Sequence, residues 1–517
     1  MHWAYQIAEK LITKHPEKEI FTCASGISPS GSVHVGNFRE VLTTYFVVKA
    51  LENLGKKARF IFSWDDFDRL RKIPQNIPES YQTYLGIPYS EVPNPFGEGS
   101  YAIHFEKEFE GALREFDIKP EFIYQNREYR SGRYAPYISI ALKRRKEIYD
   151  IFMQFKSTDP KNDDRKAFYP LSLYCEDCLR DTTTIIYYNE EQDRIDYECR
   201  CGKIGSQEVG TSRQIKLNWK VDWAMRWMVE DVVFEPGGRD HSSATGSYNV
   251  SKIIAKEIFN FEAPDYTAYE FIGLKGTNQK MFSSSGNVIT PKDLLNIYTP
   301  EIILFMFAKY KPNAAFNIGF DDEVIRIFSE FQHYQNAYAK GMVQDENIIQ
   351  SLILSKGDVK RNTPSFSQVA GIFPLIDFNE LVMQNALITI GETYALEELK
   401  IISDRVAYWI KHWNQYRMIK VNEEKNEIYY RTLSDEQKER LRILTTFISN
   451  EAISGDLLMK EVYAICHQED KKAMKESQKD LFKHVYQLVL NLNNGPRLPL
   501  LISAIGRKKI SDLLTFT

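Results

Sequence analysis

Apolar and polar residues follow clear periods from the start of the chain. Residues 2–15 carry apolar side chains at helical spacing, and the pattern stops before Pro16. Glu19-Ile-Phe-Thr-Cys-Ala24 is a short apolar run that predicts a buried strand. A Gly/Pro/Ser turn follows. Val41, Tyr45, Val48 and Leu51 then mark one face of a helix over 37–54, which stops at Gly55. Lys57-Ala-Arg-Phe-Ile-Phe-Ser63 is the next strand. This succession predicts a parallel βαβ unit, with ligands bound in the crevice at the carboxyl ends of its strands.

Residues 72–100 are rich in Pro and Gly and read as loop. A helical stretch is predicted over about 103–156. A Cys-bearing segment at 175–201, with strand-like Thr182–Tyr188, then interrupts it. Regularity returns through Trp219–Trp227 and Asp231–Phe234. From residue 291 onward strand signals are scarce and helical periodicity dominates, with a polar junction at Ser355–Ser367. The predicted fold is α/β, a Rossmann-like parallel-sheet catalytic domain with an insertion, followed by an all-α C-terminal region. Residues 1–100 and 216–290 form the two halves of the sheet domain and 101–215 the insertion. Residues 291–355 and 356–517 form two helical domains.

At 517 residues the chain exceeds what one core usually organises, so about two to four domains are expected. No apolar run of about 18 residues predicts a membrane span, and the N-terminus carries no signal-peptide pattern. Six cysteines, four of them clustered, are too few for a disulfide scaffold and point to a reducing cytoplasm. The net charge of -4 weighs against wholesale wrapping of nucleic acid. Lys143–Lys146 and Arg507–Lys509 are local basic runs that read as solvated faces.

Two segments carry chemistry. Ser25-Gly-Ile-Ser-Pro-Ser-Gly-Ser-Val-His-Val-Gly-Asn37 reads as a strand end, a tight turn and the opening of a helix. It offers a helix N-terminus and the His34 imidazole to phosphate oxygens. Gly36 leaves out the Cβ that would block a stacked adenine, although a His at this place also fits a plain helix cap. Gln279-Lys-Met-Phe-Ser-Ser-Ser-Gly-Asn287 supplies a cation and a row of hydroxyl donors, ahead of a helix capped by Thr290 with Pro291 at its first position. Together they describe ATP handled at its phosphates. Cys175-Glu-Asp-Cys178 and Cys199-Arg-Cys201 form two close pairs on a strand-rich excursion, the arrangement a structural tetrahedral Zn²⁺ requires. The second pair is one residue shorter than the usual spacing.

These motifs resemble class I aminoacyl-tRNA synthetases, with His34–Asn37 as the "HIGH" motif and Lys280–Ser284 as the "KMSKS" motif. Ser25–Gly31, His34–Glu40, Phe62-Ser-Trp-Asp-Asp66, Val221–Trp227, Asp240-His241 and the tail Gly495-Pro-Arg-Leu498 narrow the resemblance to the class I lysyl-tRNA synthetases. The resemblance implies a lysine–tRNA ligase of the cytoplasm, expected as a monomer, acting on L-lysine, ATP with Mg²⁺, and tRNA(Lys). His34, Gly36 and Asn37 would hold the nucleotide, and Lys280, Ser283 and Ser284 the leaving pyrophosphate. His34, Asn37 and Lys280 would be catalytic. Gly26, Ser28, Trp219, His241 and Tyr269 would form the lysine pocket. The insertion 101–215 would bind the tRNA acceptor end, 291–355 would contact the stem and 356–517 would read the anticodon.

The second motif departs from the family pattern Lys-Met-Ser-Ser-Ser-Lys-Gly-Asn: Phe282 replaces its first Ser and Ser285 its second Lys. The lost cation is worth roughly 1.5–3 kcal/mol, or about one to two decades in rate. That leaves a synthetase-derived RNA-binding or regulatory paralogue as the second reading. A small nucleotidylyltransferase fails on size. Asp65, Asp66 and Asp68 could complement a cationic substrate or serve as caps and surface charges. Trp409, Trp413, Tyr416 and Arg417 recur on one helical stretch and read as core rather than an RNA-stacking surface.

Overall fold

The computed structural model describes residues 1–156, 162–275, 288–450 and 455–516. Helix α1 (Trp3–Lys14) opens the chain, capped by the His2 ring, which accepts from the Ala4 N–H at 3.2 Å. Trp3, Ala4, Ala8 and Leu11 form its buried stripe. Strand β1 (Ile20–Ile27), helix α2 (Val35–Asn53) and strand β2 (Lys57–Trp64) follow as the expected βαβ unit. β1 is buried almost throughout, as a strand covered on both faces must be.

Helix α3 (Tyr101–Glu115) leads into strand β3 (Glu121–Tyr124), and β3 overturns the reading of 103–156 as helix. Its register on β2 runs from Ile61↔Glu121 to Trp64↔Tyr124. The strand is four residues long and lies between helical stretches, just after Asp117 in the left-handed region and Pro120. Pairing defines it, and periodicity does not. Helices α4 (Gln125–Ser131), α5 (Ala135–Lys143), α6 (Arg145–Met153) and α7 (Asn162–Ala167) come next. Strand β4 (Leu171–Leu173) pairs antiparallel with β8 (Ile215–Leu217); between them β5 (Thr183–Asn189), β6 (Arg194–Cys199) and β7 (Ile204–Glu208) form a three-stranded ribbon. Helix α8 (Trp219–Glu230), strand β9 (Val232–Gly238), helix α9 (Ser247–Phe259) and strand β10 (Asp265–Tyr269) complete the main sheet.

That sheet has the order β10-β9-β1-β2-β3, all parallel. The chain leaves β1 for β2 on one side and returns to β9 on the other. The topological switch point therefore lies between β1 and β9, with Gly26 and Gly238 near its mouth. A second parallel pair, Ile272–Leu274 with Phe316–Ile318, adds a strand beyond residue 291, where the periodicity suggested helix only.

The chain divides into two compact units. One comprises Met1–Leu294, Ile303–Ile318 and Val343–Gly357; the other comprises Leu295–Ile302, Gly319–Met342 and Asp358–Thr517. The segment 291–355 is thus shared between them. Among the described residues, the second unit contains helices and no strand. Trp409 is fully buried there and donates to the Phe320 carbonyl at 2.8 Å, whereas Trp413 and Tyr416 are 42% and 67% exposed. The core reading holds for Trp409 alone. No helix of the described residues is long and apolar enough to cross a membrane.

Candidate active site and metal centre

His34 is the N-cap of α2, and its Nδ1 accepts from the N–H groups of Gly36 at 3.0 Å and Asn37 at 3.2 Å. An imidazole that accepts on Nδ1 carries its proton on Nε2. Burial lowers its pKa to about 4, so at neutral pH the ring is an uncharged N–H donor. A Cβ on Gly36 would lie 2.8 Å from the ring's Cε1 and Nδ1. The first use of this glycine is therefore to seat His34, ahead of the room it was expected to leave for adenine.

The third early N–H of α2, that of Val35, donates to the Ile289 carbonyl at 2.9 Å. Val35, Gly36 and Asn37 thus all have acceptors inside the protein. Of the helix N-terminus and imidazole that the sequence suggested for a phosphate, the helix start offers its dipole and the His34 Nε2–H, its first N–H groups being already bonded. Thr290 follows Ile289 as a cap: its N–H and hydroxyl each lie 2.8 Å from an Asp293 carboxylate oxygen, with Pro291 opening the helix. Lys280, Ser283 and Ser284, with Phe282 and Ser285, lie outside the described residues.

At the sheet's carboxyl edge, the Gly26 N–H donates to Glu40 Oε1 at 3.1 Å and the Tyr269 hydroxyl to Glu40 Oε2 at 2.8 Å. Glu40 was not among the expected site residues. Only the fold reveals it: its helix neighbours Phe38, Arg39, Val41 and Leu42 are all buried, which the sequence alone did not show. Desolvation, reinforced by the nearby charges of Glu235 and Asp65, raises its pKa to about 8 against the two hydrogen bonds. A Cβ on Gly26 would sit 3.3 Å from the Ser63 carbonyl, a tight fit. Ser28 follows β1, and its carbonyl accepts from the Ser30 N–H at 2.8 Å.

Trp219 opens α8, stacked on Trp223 at 5.0 Å between ring centroids. The Arg226 guanidinium lies 5.1 Å from the Trp219 ring centroid. His241 lies 6.4 Å from Trp219 and 5.8 Å from Trp223, ring to ring. The five expected lysine-pocket residues therefore fall into two groups, Gly26 with Tyr269 through Glu40, and Trp219 with His241. Gly238 lies between them, where a Cβ would meet Asp240 at 2.5 Å and the Tyr269 hydroxyl at 3.6 Å. Ser28 belongs to neither group and sits just past the carboxyl end of β1.

The acidic triplet after β2 is internal, neither a surface nor a free charge. Arg226 binds Asp65 at 2.8 Å and Asp222 at 3.4 Å, and Lys216 binds Asp68 at 2.8 Å and Asp222 at 3.5 Å. The Tyr129 hydroxyl donates to Asp222. Asp66 accepts from the Asn126 N–H at 2.7 Å, and burial raises its pKa to about 7. Three carboxylates and two cations thus pair inside the domain, and the spacing of Asp65, Asp66 and Asp68 gave no sign of Lys216 or Arg226.

The thiols of Cys175, Cys178, Cys199 and Cys201 all lie within 4.8 Å of one another. The Cys175–Cys201 and Cys178–Cys199 sulfur pairs are each 3.6 Å apart. Four thiolates about 2.3 Å from a tetrahedral Zn²⁺ stand about 3.8 Å apart, so the donor set and its spacing fit that ion. The shortened Cys199-Arg-Cys201 pair closes because Gly202 takes a left-handed φ of 95° just behind it.

The family model described as tRNA synthetases class I (K) matches residues 1–356. A lysine–tRNA ligase of Treponema pallidum is 34% identical over 538 residues, covering 100% of this chain and 98% of that protein. One from Pyrococcus horikoshii is 32% identical over 522 residues, covering 98% of each. Among solved structures, a glutamate tRNA ligase from Elizabethkingia meningosepticum is 13% identical over 96% of this chain, with a TM-score of 0.41.

Proposed function

This chain belongs to the class I tRNA synthetases (K), and on that premise we propose that it is a lysine–tRNA ligase. It activates L-lysine with ATP to lysyl-adenylate and transfers the lysyl group to the terminal ribose of tRNA(Lys). The observation that carries this reading is Glu40, a carboxylate held at the switch point by Gly26 and Tyr269, with Glu235 and Asp65 close behind it. A carboxylate at that place suits a substrate ammonium.

In the first step a carboxylate oxygen of lysine bonds to the α-phosphorus, and the bond from that phosphorus to the bridging oxygen breaks. Pyrophosphate leaves with the electron pair. His34 donates Nε2–H to a phosphate oxygen while the α2 dipole faces the same charge. Asn37, three residues on, would hold the nucleotide beside it. Lys280, Ser283 and Ser284 would receive the pyrophosphate, and Mg²⁺ entering with ATP would neutralise its charge. Glu40 accepts a substrate ammonium, Trp219 walls the methylene stem, and His241, if neutral, accepts from the distal ammonium. Zinc on Cys175, Cys178, Cys199 and Cys201 would be structural, because four thiolates leave no open position. The helical region from residue 356 reads the anticodon, 291–355 contacts the stem, and the enzyme works in the cytoplasm.

Pyrophosphate exchange with ATP and Mg²⁺, with and without tRNA, tests the reading. Lysine should support exchange, while arginine and glutamate at equal concentration should not. Better exchange with either of those would overturn the substrate assignment.

A further inference from the structure

The loop that presents the first cysteine pair does more than close on itself. Its own turn is set by the Leu179 N–H on the Cys175 carbonyl and the Cys175 N–H on the Arg180 carbonyl, both at 2.9 Å, with Leu179 left-handed at φ 59°. The side chains of the two residues that follow grip another segment. Arg180 donates from Nη2 to the Thr83 carbonyl at 2.5 Å and from Nε to the Leu85 carbonyl at 3.2 Å. The Asp181 N–H donates to the Gly86 carbonyl at 3.0 Å, and its carboxylate, 7% exposed, pairs with Arg69. Gly86 sits at φ 86°, and a Cβ there would lie 3.0 Å from Asp181 Oδ1.

The gripped segment is the loop that continues β2. Leu70 and Ile87 share an N–H···O bond of 2.8 Å, and the Tyr89 and Ser90 N–H groups donate to the Asp68 and Asp66 carbonyls at 2.8 and 3.0 Å. Holding residues 83–86 and Arg69 therefore holds the backbone of Asp66–Asp68. Tyr174, next to Cys175, adds a hydroxyl bond of 2.7 Å to the Phe67 carbonyl. Asp68 then binds Lys216, and Asp65 binds Arg226, whose guanidinium lies over Trp219.

We propose that Arg180 and Asp181 are positioning residues through which the metal-bearing turn sets the lysine pocket, by fixing the 66–89 loop and thereby the Asp65–Arg226–Trp219 stack. The inference rests on the lysine–tRNA ligase reading, with Trp219 as the wall of the pocket. Metal bound by the four thiolates would hold the turn, and the turn would hold the pocket wall; the ion itself would stand apart from the reacting atoms.

The test uses the full-length enzyme in Arg180→Ala, Asp181→Ala and the milder Arg180→Lys, together with the reciprocal pair Arg69→Asp plus Asp181→Arg. Zinc content is read by elemental analysis, and KM for lysine and for ATP separately. The expected result is an undiminished zinc content and a lysine KM raised roughly three- to ten-fold in the Ala variants, with ATP KM within about two-fold. Arg180→Lys and the reciprocal pair should recover part of the loss. On zinc removal by a chelator, hydrogen exchange should quicken in residues 66–89 while β1 stays protected.

Unchanged lysine KM in both Ala variants, with zinc retained, overturns the proposal. So does an equal rise in both KM values that tracks a fall in thermal stability, since that is the signature of a merely structural tie. If the wild-type enzyme shows no lysine-dependent exchange, it is the ligase reading that fails. Hydrogen exchange in residues 66–89 on zinc removal would then still report whether the turn holds the loop.

Discussion

The main-chain N–H of Val35 donates to the carbonyl oxygen of Ile289 at 2.9 Å. This bond ties the first residue of α2, next to His34, to the flank of the Gln279–Asn287 motif. Two segments far apart in the chain thereby share one peptide-scale anchor at the helix start, where charge on a triphosphate would be met. It also removes Val35 from the donors open to a ligand and leaves the His34 Nε2–H as the donor available at this helix end.

The cap that His34 provides and its proposed phosphate contact are separable, and substitutions should divide them. His34→Ala leaves the Gly36 and Asn37 N–H groups without their acceptor and should cost about 0.5–2 kcal/mol of stability. His34→Asn restores a capping oxygen without the reach of Nε2–H. Both should lower kcat by a factor of about ten or more, while thermal melts show Asn recovering much of the stability. A His34→Asn enzyme with wild-type kcat would reduce His34 to a cap. Because the folded-state pKa is lowered to about 4, the unfolded chain binds this proton more readily, and the associated stability is lost as pH falls from 6.5 toward 4.

Glu40, as the proposed acceptor of a substrate ammonium, should make lysine binding pH-dependent. Its folded-state pKa is raised to about 8, so burial favours the protonated form; its contribution to stability is full below the ordinary value of 4.5 and is lost as pH rises through about 8. An ammonium prefers the ionised form, so lysine affinity should rise between about pH 6.5 and 8, with proton release on binding. Glu40→Gln should flatten that dependence and raise lysine KM about ten-fold or more, leaving ATP KM nearly unchanged. Calorimetry in two buffers of different ionisation enthalpy measures the released proton. Equal proton release by wild type and Glu40→Gln would assign the titration elsewhere.

The four clustered thiols should hold one zinc per chain. Elemental analysis of purified protein decides it. Less than about a tenth of an equivalent, with all four thiols freely titratable, would leave the cysteines as packing residues. Paired Cys→Ser changes at Cys175 and Cys178 should destabilise the ribbon by an amount that depends on pH, because zinc binding displaces thiol protons.

The buried charges around Asp65 predict a large and partly recoverable stability loss. Arg226→Met leaves Asp65 and Asp222 without their shared cation and should cost about 3–5 kcal/mol in urea unfolding. Adding Asp65→Asn removes one of the stranded charges and should return part of that loss. Additive losses in the double variant would show that the two residues do not interact energetically.

Ser285→Lys restores the cation that the second motif lacks. It should raise kcat for adenylation roughly three- to thirty-fold and leave lysine KM nearly unchanged, since the role proposed for this segment is on ATP. Pre-steady-state adenylate formation reads the step directly. A gain confined to transfer onto tRNA would contradict the assigned role, and no gain would mean that another cation, such as Lys275 or Lys292, already serves.

The sequence by itself determined the elements that repeat or that cap. The β1–α2–β2 unit, the Thr290 cap with Pro291, the paired cysteines and the His34–Asn37 motif are local patterns, legible because spacing along the chain decides their backbone geometry. It could not specify β3, whose four residues become a strand only by pairing with β2. Nor could it tell that the helix-start N–H groups were already satisfied, since the acceptor of the Val35 bond, Ile289, comes from the far end of the domain. Glu40 and the Asp65–Arg226–Asp222 cluster belong to the same class. A carboxylate reads as solvated until the fold surrounds it, and its partners are chosen by how the strands align rather than by how near they lie in the chain. Tertiary structure decided which charges were buried, which were paired, and therefore which carboxylate was left facing the crevice.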